Sequence, residues 1–245
     1  LLLAWGASSL ARRPPSHRYT YGLRASSILA ALANAVVLLL SMGAIGWEAI
    51  RRFNDSAPVS GETIIGIALV GIVINTITAL MFMSGRKHDL NIRSAFLHMT
   101  ADALVSLGVV VAGIVILFTH WLWIDPLVSL VVVAVVVVGT WQLLRDSVNL
   151  ALDGVPVGIE TRAVKNFLIE RPGVLKIHDL HIWAISTTET ALTVHLVMPK
   201  GYPGDGFLWE VCQELEHHFG IKHSTIQVET GDSAYPCALE PDHLV

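Results

Sequence analysis

The chain has 245 residues, 53% of them hydrophobic and 15% charged, with mean hydropathy +0.60 and formal net charge −4. Soluble domains usually carry about 25% charged residues, so the deficit points to membrane spans. The negative balance argues against nucleic acid as a partner, because phosphate neutralisation drives that binding, and two cysteines, Cys212 and Cys237, offer no disulfide framework.

In chain order, the opening run LLLAWGASSLA is followed at once by Arg12-Arg13-Pro14-Pro15. A secretory signal puts its positive charges before the apolar run, not after it. Residues 1–11 therefore read as a partial span, the second half of a spanning helix that begins upstream of Leu1. A span needs roughly 20 mostly apolar residues, and four further runs qualify, at about 22–47, 63–83, 95–118 and 126–144. The last opens at Asp125-Pro126, where proline suits a first helical turn. The connections are short, which predicts antiparallel neighbours and a polytopic α-helical bundle over residues 1–150. Arg12, Arg13, Arg18 and Arg24 share one side of the bilayer with Arg86, Lys87, Arg93 and Arg145, against only Arg51 and Arg52 on the other. The positive-inside rule makes the richer side, and the C-terminal region with it, cytosolic.

After RDSVNLALDGVP the composition becomes that of a small soluble domain, expected over residues 155–231. GIETRAVKNFLIERPGV reads as a helix ending near Pro172-Gly173. LKIHDLHIWAIS and TALTVHLVM alternate as strands. DGFLWEVCQELEHHFG has helical spacing with Gly220 as a stop, and STIQVET reads as a last strand. The order αββαβ predicts a ferredoxin-like, metallochaperone-like unit: three strands with helices on one face. Residues 232–245 read as an irregular tail.

His98 and Asp102 stand inside the apolar run of residues 95–118. Residues four apart share a helix face, and burying either charge in hydrocarbon costs several kcal/mol unless it is paired or metal-bound. A nitrogen and an oxygen donor suit Zn2+, which takes four ligands; two more would come from a facing helix. By spacing alone, a proton relay or a plain hydrogen-bonded pair fits as well. Asn34 and Asn75 are lone amides in neighbouring spans, available as supports to a site or as interhelical hydrogen bonds.

From here the chain resembles the cation diffusion facilitator family, in its bacterial zinc-exporting branch. RRPPSHRYTYG is similar to the loop between spans two and three, and ILAALANA to the start of span three. NIRSAFLHMTADALVSLGVVVA is similar to span five with its H-x-x-x-D, IDPLVSLVVV to span six, and LLRDSVNLALDGVP to the exit from the membrane. PGVLKIHDLHIW, ALTVHLVM and HSTIQVE resemble the signatures of the soluble domain. The resemblance implies six spans, of which about four and a half are present, the chain starting within the second. It also implies a homodimer in the lipid bilayer of the bacterial inner membrane, exchanging cytosolic metal for protons. His98 and Asp102 match one half of the transport site; the other half would fall just upstream of Leu1. Imidazole rather than all-oxygen ligation favours Zn2+, with Cd2+ by chemical likeness, over Mn2+ or Mg2+, and histidine can exchange Zn2+ for H+.

In the soluble domain the resemblance implies metal ligands at His178, His195 and Glu229, with His223 and Cys237 as weaker candidates. Half-buried sheet histidines are the plainer reading of the first two. Strand alternation sets His178 and His181 on opposite faces, and Gln227 and Glu229 on one face opposite Ile226 and Val228. In the second loop the chain reads GLRAS, where many members have a His-Arg-Ala-Glu run, so a loop site is not expected although His17 is near. The four arginines of that segment are expected to meet lipid headgroups or the soluble domain, with Asp146 pairing one of them and helping hold two protomers together. The alternative to transport is a non-transporting membrane subunit that binds metal through its cytosolic domain alone.

Overall fold

The computed structural model describes residues 2–54, 61–83, 90–232 and 234–240; within helices, the side chains of residues 2–5, 90–98 and a few single positions fall outside the described set. Five long or apolar helices come first: α1 (Leu2–Ala11), α2 (Ser26–Asn54), α3 (Gly61–Phe82), α4 (Leu90–Thr119) and α5 (Ile124–Ala151). At 1.5 Å per residue, α2, α4 and α5 run roughly 42–45 Å, beyond the ~30 Å of a hydrocarbon core. Among the described residues, Ser26–Phe53, Asp102–Thr119 and Ile124–Ala151 are long and apolar enough to cross a membrane, and Ile65–Met81 is a shorter apolar stretch. Leu40, Ile67, Met81, Phe118 and Val138 stay exposed on these helices. Contiguous apolar surface of this kind has lipid as its matching solvent.

The chain forms two compact units, Leu38–Thr140 and Leu1–Val37 with Trp141–Val245. In the first unit α3 packs along α4. Gly71 permits the approach, since a Cβ there would stand 3.2 Å from Ser106 Oγ; small residues are how membrane helices come close. Arg52, in the last turn of α2, bonds Asp125 at 3.2 Å and Glu48 at 3.5 Å. The pairing sets an arginine at a helix C-terminus against a carboxylate in the first turn of α5, both favourable to the helix dipoles.

The second unit holds α6 (Thr161–Ile169), β1 (Lys176–Ala184), β2 (Thr190–Val197), α7 (Asp205–Phe219) and β3 (Ile221–Glu229). The three strands lie in the order β1-β2-β3, β1–β2 antiparallel and β2–β3 parallel. Val164 and Leu168 of α6 and Val211 and Leu215 of α7 share one core with Ile182, Leu192, Val194 and Leu196. Both helices thus cover the same face, as the αββαβ reading expects. The spacing 207, 211, 215 gives α7 its apolar stripe.

Element ends differ from the sequence reading for local reasons. α6 stops at Ile169 with Glu170 as its cap, just short of Arg171, whose place before Pro172 disfavours helical backbone. The Arg171 side chain then donates to the Phe167 carbonyl at 3.1 Å and to Glu214 at 2.9 Å, stapling α6 to α7. Gly220, with φ 69, ends α7 in the left-handed conformation that suits glycine. That lets β3 start directly at Ile221, three residues before the STIQVET run, so His223 lies on the strand.

The largest departure is in β1. His178 pairs with His195, but His181 pairs with Thr193, so β1 carries one extra residue, with Asp179 at φ 51. A bulge reverses the phase of everything after it. His178 and His181 therefore share the face away from the helices, and the expectation of opposite faces is corrected.

Candidate metal centre

On that open face the register does the assembling. His178 stands directly across from His195, and β3 sets Gln227 beside His195, with Glu229 two residues further along the same face. The segment after β3 then turns back over the sheet. Gly231 makes the turn with φ 72, and a Cβ at this position would come within 2.9 Å of Val197 Cγ1. Lys176 fixes the returning segment through Glu240 at 2.7 Å. The result is a cavity of about 750 Å3 walled by His178, Gln227, Glu229, Cys237 and Glu240.

Glu229 reaches both imidazoles: Oε2 is 3.1 Å from His178 Nε2, and Oε1 is 3.0 Å from His195 Nδ1. Cys237 Sγ stands 3.6 Å from the same His195 Nδ1. One donor atom from each of the four lies within 4.8 Å of the others. A zinc tetrahedron with bonds of about 2.0–2.3 Å has edges of roughly 3.3–3.8 Å, so the set fits such an ion with little movement. The outer faces of the two rings strengthen the fit. His178 Nδ1 lies 3.4 Å from the Leu239 carbonyl, and His195 Nε2 lies 3.4 Å from Asp179 Oδ2. Both outer partners are acceptors, so the tautomer that a bound metal would select, with N–H on those nitrogens, has partners waiting for it and would turn the inner lone pairs toward the ion.

The rings are buried, His178 to 3% exposure and His195 to 9%. At Glu229 burial pushes the carboxyl up, but hydrogen bonds from Gln227, Cys237 and His178 outweigh it and leave it below the usual carboxylate range. For Cys237 a backbone hydrogen bond at Leu239 favours the thiolate; burial, a hydrogen bond to Glu229 and the negative charges of Glu229 and Asp179 together push the thiol up. A divalent ion is what would make a thiolate favourable beside two carboxylates.

Of the other residues singled out, His223 is exposed and meets the ring of Tyr21 edge-on at 5.4 Å; it is not brought into the cluster. The reason is register: His223 pairs with Ala191, four positions down β2 from His195. His98 lies four residues before Asp102 on the backbone of α4, and its side chain falls outside the described residues; Asp102 is half-buried. Asn34 and Asn75 are half-buried on α2 and α3, Asn34 beside Ala30 and Ala31 on the wall of a second cavity. Asp146 is half-buried on α5 and pairs with none of the four arginines among the described residues. Arg24 is held instead by Glu189 at 2.7 Å, and Ser27 Oγ next to it accepts from the Thr187 amide at 3.1 Å. Asp179, not singled out in the sequence, joins the group; its only trace there is a carboxylate between two histidines in a strand.

The family model for the cation efflux transmembrane domain matches residues 1–150, and that for the cation efflux protein cytoplasmic domain matches residues 156–231. The chain belongs to the cation efflux, or cation diffusion facilitator, family: it is an integral membrane protein of a metal-transporter family, not an enzyme. Among curated relatives it is 36% identical over 235 residues to a cadmium, cobalt and zinc/H(+)-K(+) antiporter of Bacillus subtilis, covering 94% of this chain and 75% of that one. It is 35% identical over 246 residues to the zinc transporter ZitB of Escherichia coli (100% and 77%). To the metal cation efflux system protein CzcD of Cupriavidus metallidurans it is 36% identical over 230 residues (94% and 73%). Among solved structures it is similar to the metal-bound C-terminal domain of the CzcD transporter from the same species, at 38% identity, covering 29% of this chain and 99% of that one with a TM-score of 0.27.

Proposed function

We propose that the chain exports Zn2+, and by chemical likeness Cd2+, from the cytosol of a bacterium across its inner membrane in exchange for protons. The observation that carries this reading is the placement of His98 and Asp102 four apart on α4, in a chain about 35% identical end to end to a zinc transporter. Within an apolar helix an imidazole and a carboxylate are too costly to keep without a use. Two further ligands on a facing helix would complete four-coordination. Neutral His98 binds the metal, and its imidazolium form releases it, so occupation by Zn2+ and by H+ exclude one another. The cytosolic domain holds a second Zn2+ on His178, His195, Glu229 and Cys237, and serves with its counterpart as the homodimer contact of the family.

The test is Zn2+ uptake by everted membrane vesicles of cells making the protein, followed with an internal zinc dye and an internal pH dye. Wild type is expected to load zinc while discharging an imposed acid interior. His98→Ala and Asp102→Ala are each expected to fall to the level of vesicles without the protein. Undiminished uptake by His98→Ala would refute the transport site. Zinc held by the cytosolic cluster with no uptake by wild type would favour the regulatory alternative.

A further inference from the structure

We infer that Asp179 is a positioning residue for this metal centre: its carboxylate fixes the ring of His195, and His181 steadies the carboxylate. The inference rests on the reading that His178, His195, Glu229 and Cys237 hold Zn2+.

The backbone shows how Asp179 comes to be there. In an unbroken strand, residue 179 would face the helices and bury its carboxylate beside Ile177 and Leu196 of the core. The extra residue in β1 and φ 51 at Asp179 turn the side chain to the open face instead. That backbone region is rare for non-glycine residues, and Asp and Asn are among those that enter it most readily. Once turned, the carboxylate is 14% exposed and bridges two histidines: Oδ1 is 2.9 Å from His181 Nε2 and Oδ2 is 3.4 Å from His195 Nε2.

The two nitrogens of His195 face different partners. Nδ1 faces Glu229 and Cys237, and Nε2 faces Asp179. A metal-bound imidazole offers a lone pair from one nitrogen and an N–H from the other. A carboxylate accepting that N–H selects the tautomer, stops the ring from rotating and makes the ligating nitrogen more basic. His181 is not among the four clustered donors. Its Nε2 occupies the second oxygen of Asp179, which orients the first toward His195.

The test uses the full chain in detergent carrying His98→Ala, so that the cytosolic centre is read alone, with Zn2+ affinity measured by competition with a chromophoric chelator. Asp179→Gly accepts the positive φ and removes the carboxylate; Asp179→Asn accepts it and keeps an acceptor oxygen. The glycine variant is expected to bind Zn2+ on the order of 10–100-fold more weakly, with an unchanged melting temperature before metal is added. The asparagine variant is expected to recover most of the affinity. In the zinc-loaded parent, the 15N signal of His195 Nε2 is expected to be that of an N–H nitrogen and to shift in Asp179→Gly. Parental affinity in Asp179→Gly overturns the inference, and so does a loss that Asn does not recover or that comes with a lower metal-free melting temperature. Failure of the underlying reading looks different: the parent and its His195→Ala derivative would bind Zn2+ alike.

Discussion

Cys237 is the soft donor in a set otherwise made of two imidazoles and a carboxylate. Thiolate favours soft, polarisable ions, so its loss should change which metal is held as well as how tightly. In the full chain carrying His98→Ala, Cys237→Ser is expected to weaken Zn2+ by at least about tenfold and Cd2+ by distinctly more, because serine leaves only a neutral hydroxyl. Parallel chelator competitions with the two metals decide it; equal losses would mean that sulfur is not bonded to the ion. Glu229 differs in kind, since it touches both rings at 3.0–3.1 Å. Glu229→Gln keeps the shape but gives up the negative charge that balances the cation, and should weaken both metals alike.

The elements that deliver these side chains can be tested separately from the donors. Gly231 is the turn that returns the tail to the sheet, at φ 72 and against Val197. Alanine there meets the left-handed penalty of roughly 1–2 kcal/mol and a contact too close for a methyl group, so the tail should lift. Gly231→Ala is expected to weaken Zn2+ much as Cys237→Ser does, although it removes no ligand. Leu215→Ala, in the core with exposure 0%, is the contrast: it should cost about 2–5 kcal/mol of stability while leaving the number of bound zinc ions unchanged. Thermal melts and zinc counts on the two variants separate the effects.

Much of this scale was legible beforehand. Val211 and Leu215 announce the stripe of α7 by spacing, Gly220 announces its end, and Ile226 and Val228 against Gln227 and Glu229 assign the faces of β3. The bulge in β1 was not. HDLHIW alternates acceptably in either phase, and the choice is made by hydrogen bonding to β2, which no residue of β1 reports. The return of the tail was hidden for a similar reason: Gly231 marks a turn, but only the neighbouring Val197 says why no other residue will do. His223 entered as a ligand candidate through the resemblance alone, and the register that pairs it with Ala191, four positions from His195, is not written in its own strand.

For the whole molecule, the proposed direction of transport depends on which side of the bilayer each end faces. Arginines Arg12, Arg13, Arg18 and Arg24 lie between α1 and α2, against Arg51 and Arg52 at the far end of α2. The excess of Lys and Arg in short loops marks the cytosolic side of a membrane protein, so the richer side should stay cytosolic. The lower-numbered segment is also tied to the sheet domain, through Arg24 and Glu189 at 2.7 Å and through Ser27 and Thr187 at 3.1 Å. The segment and the four-donor cluster should therefore sample the same compartment, the one from which zinc is taken. In a chain with Cys212→Ser and Cys237→Ser, Tyr19→Cys is expected to react with a membrane-impermeant maleimide only after permeabilisation. His120→Cys, at the turn between α4 and α5, is expected to react in intact cells. If Tyr19→Cys reacts in intact cells, the sheet domain faces outward. The four-donor cluster would then face the exterior, and the route would bring zinc in rather than export it.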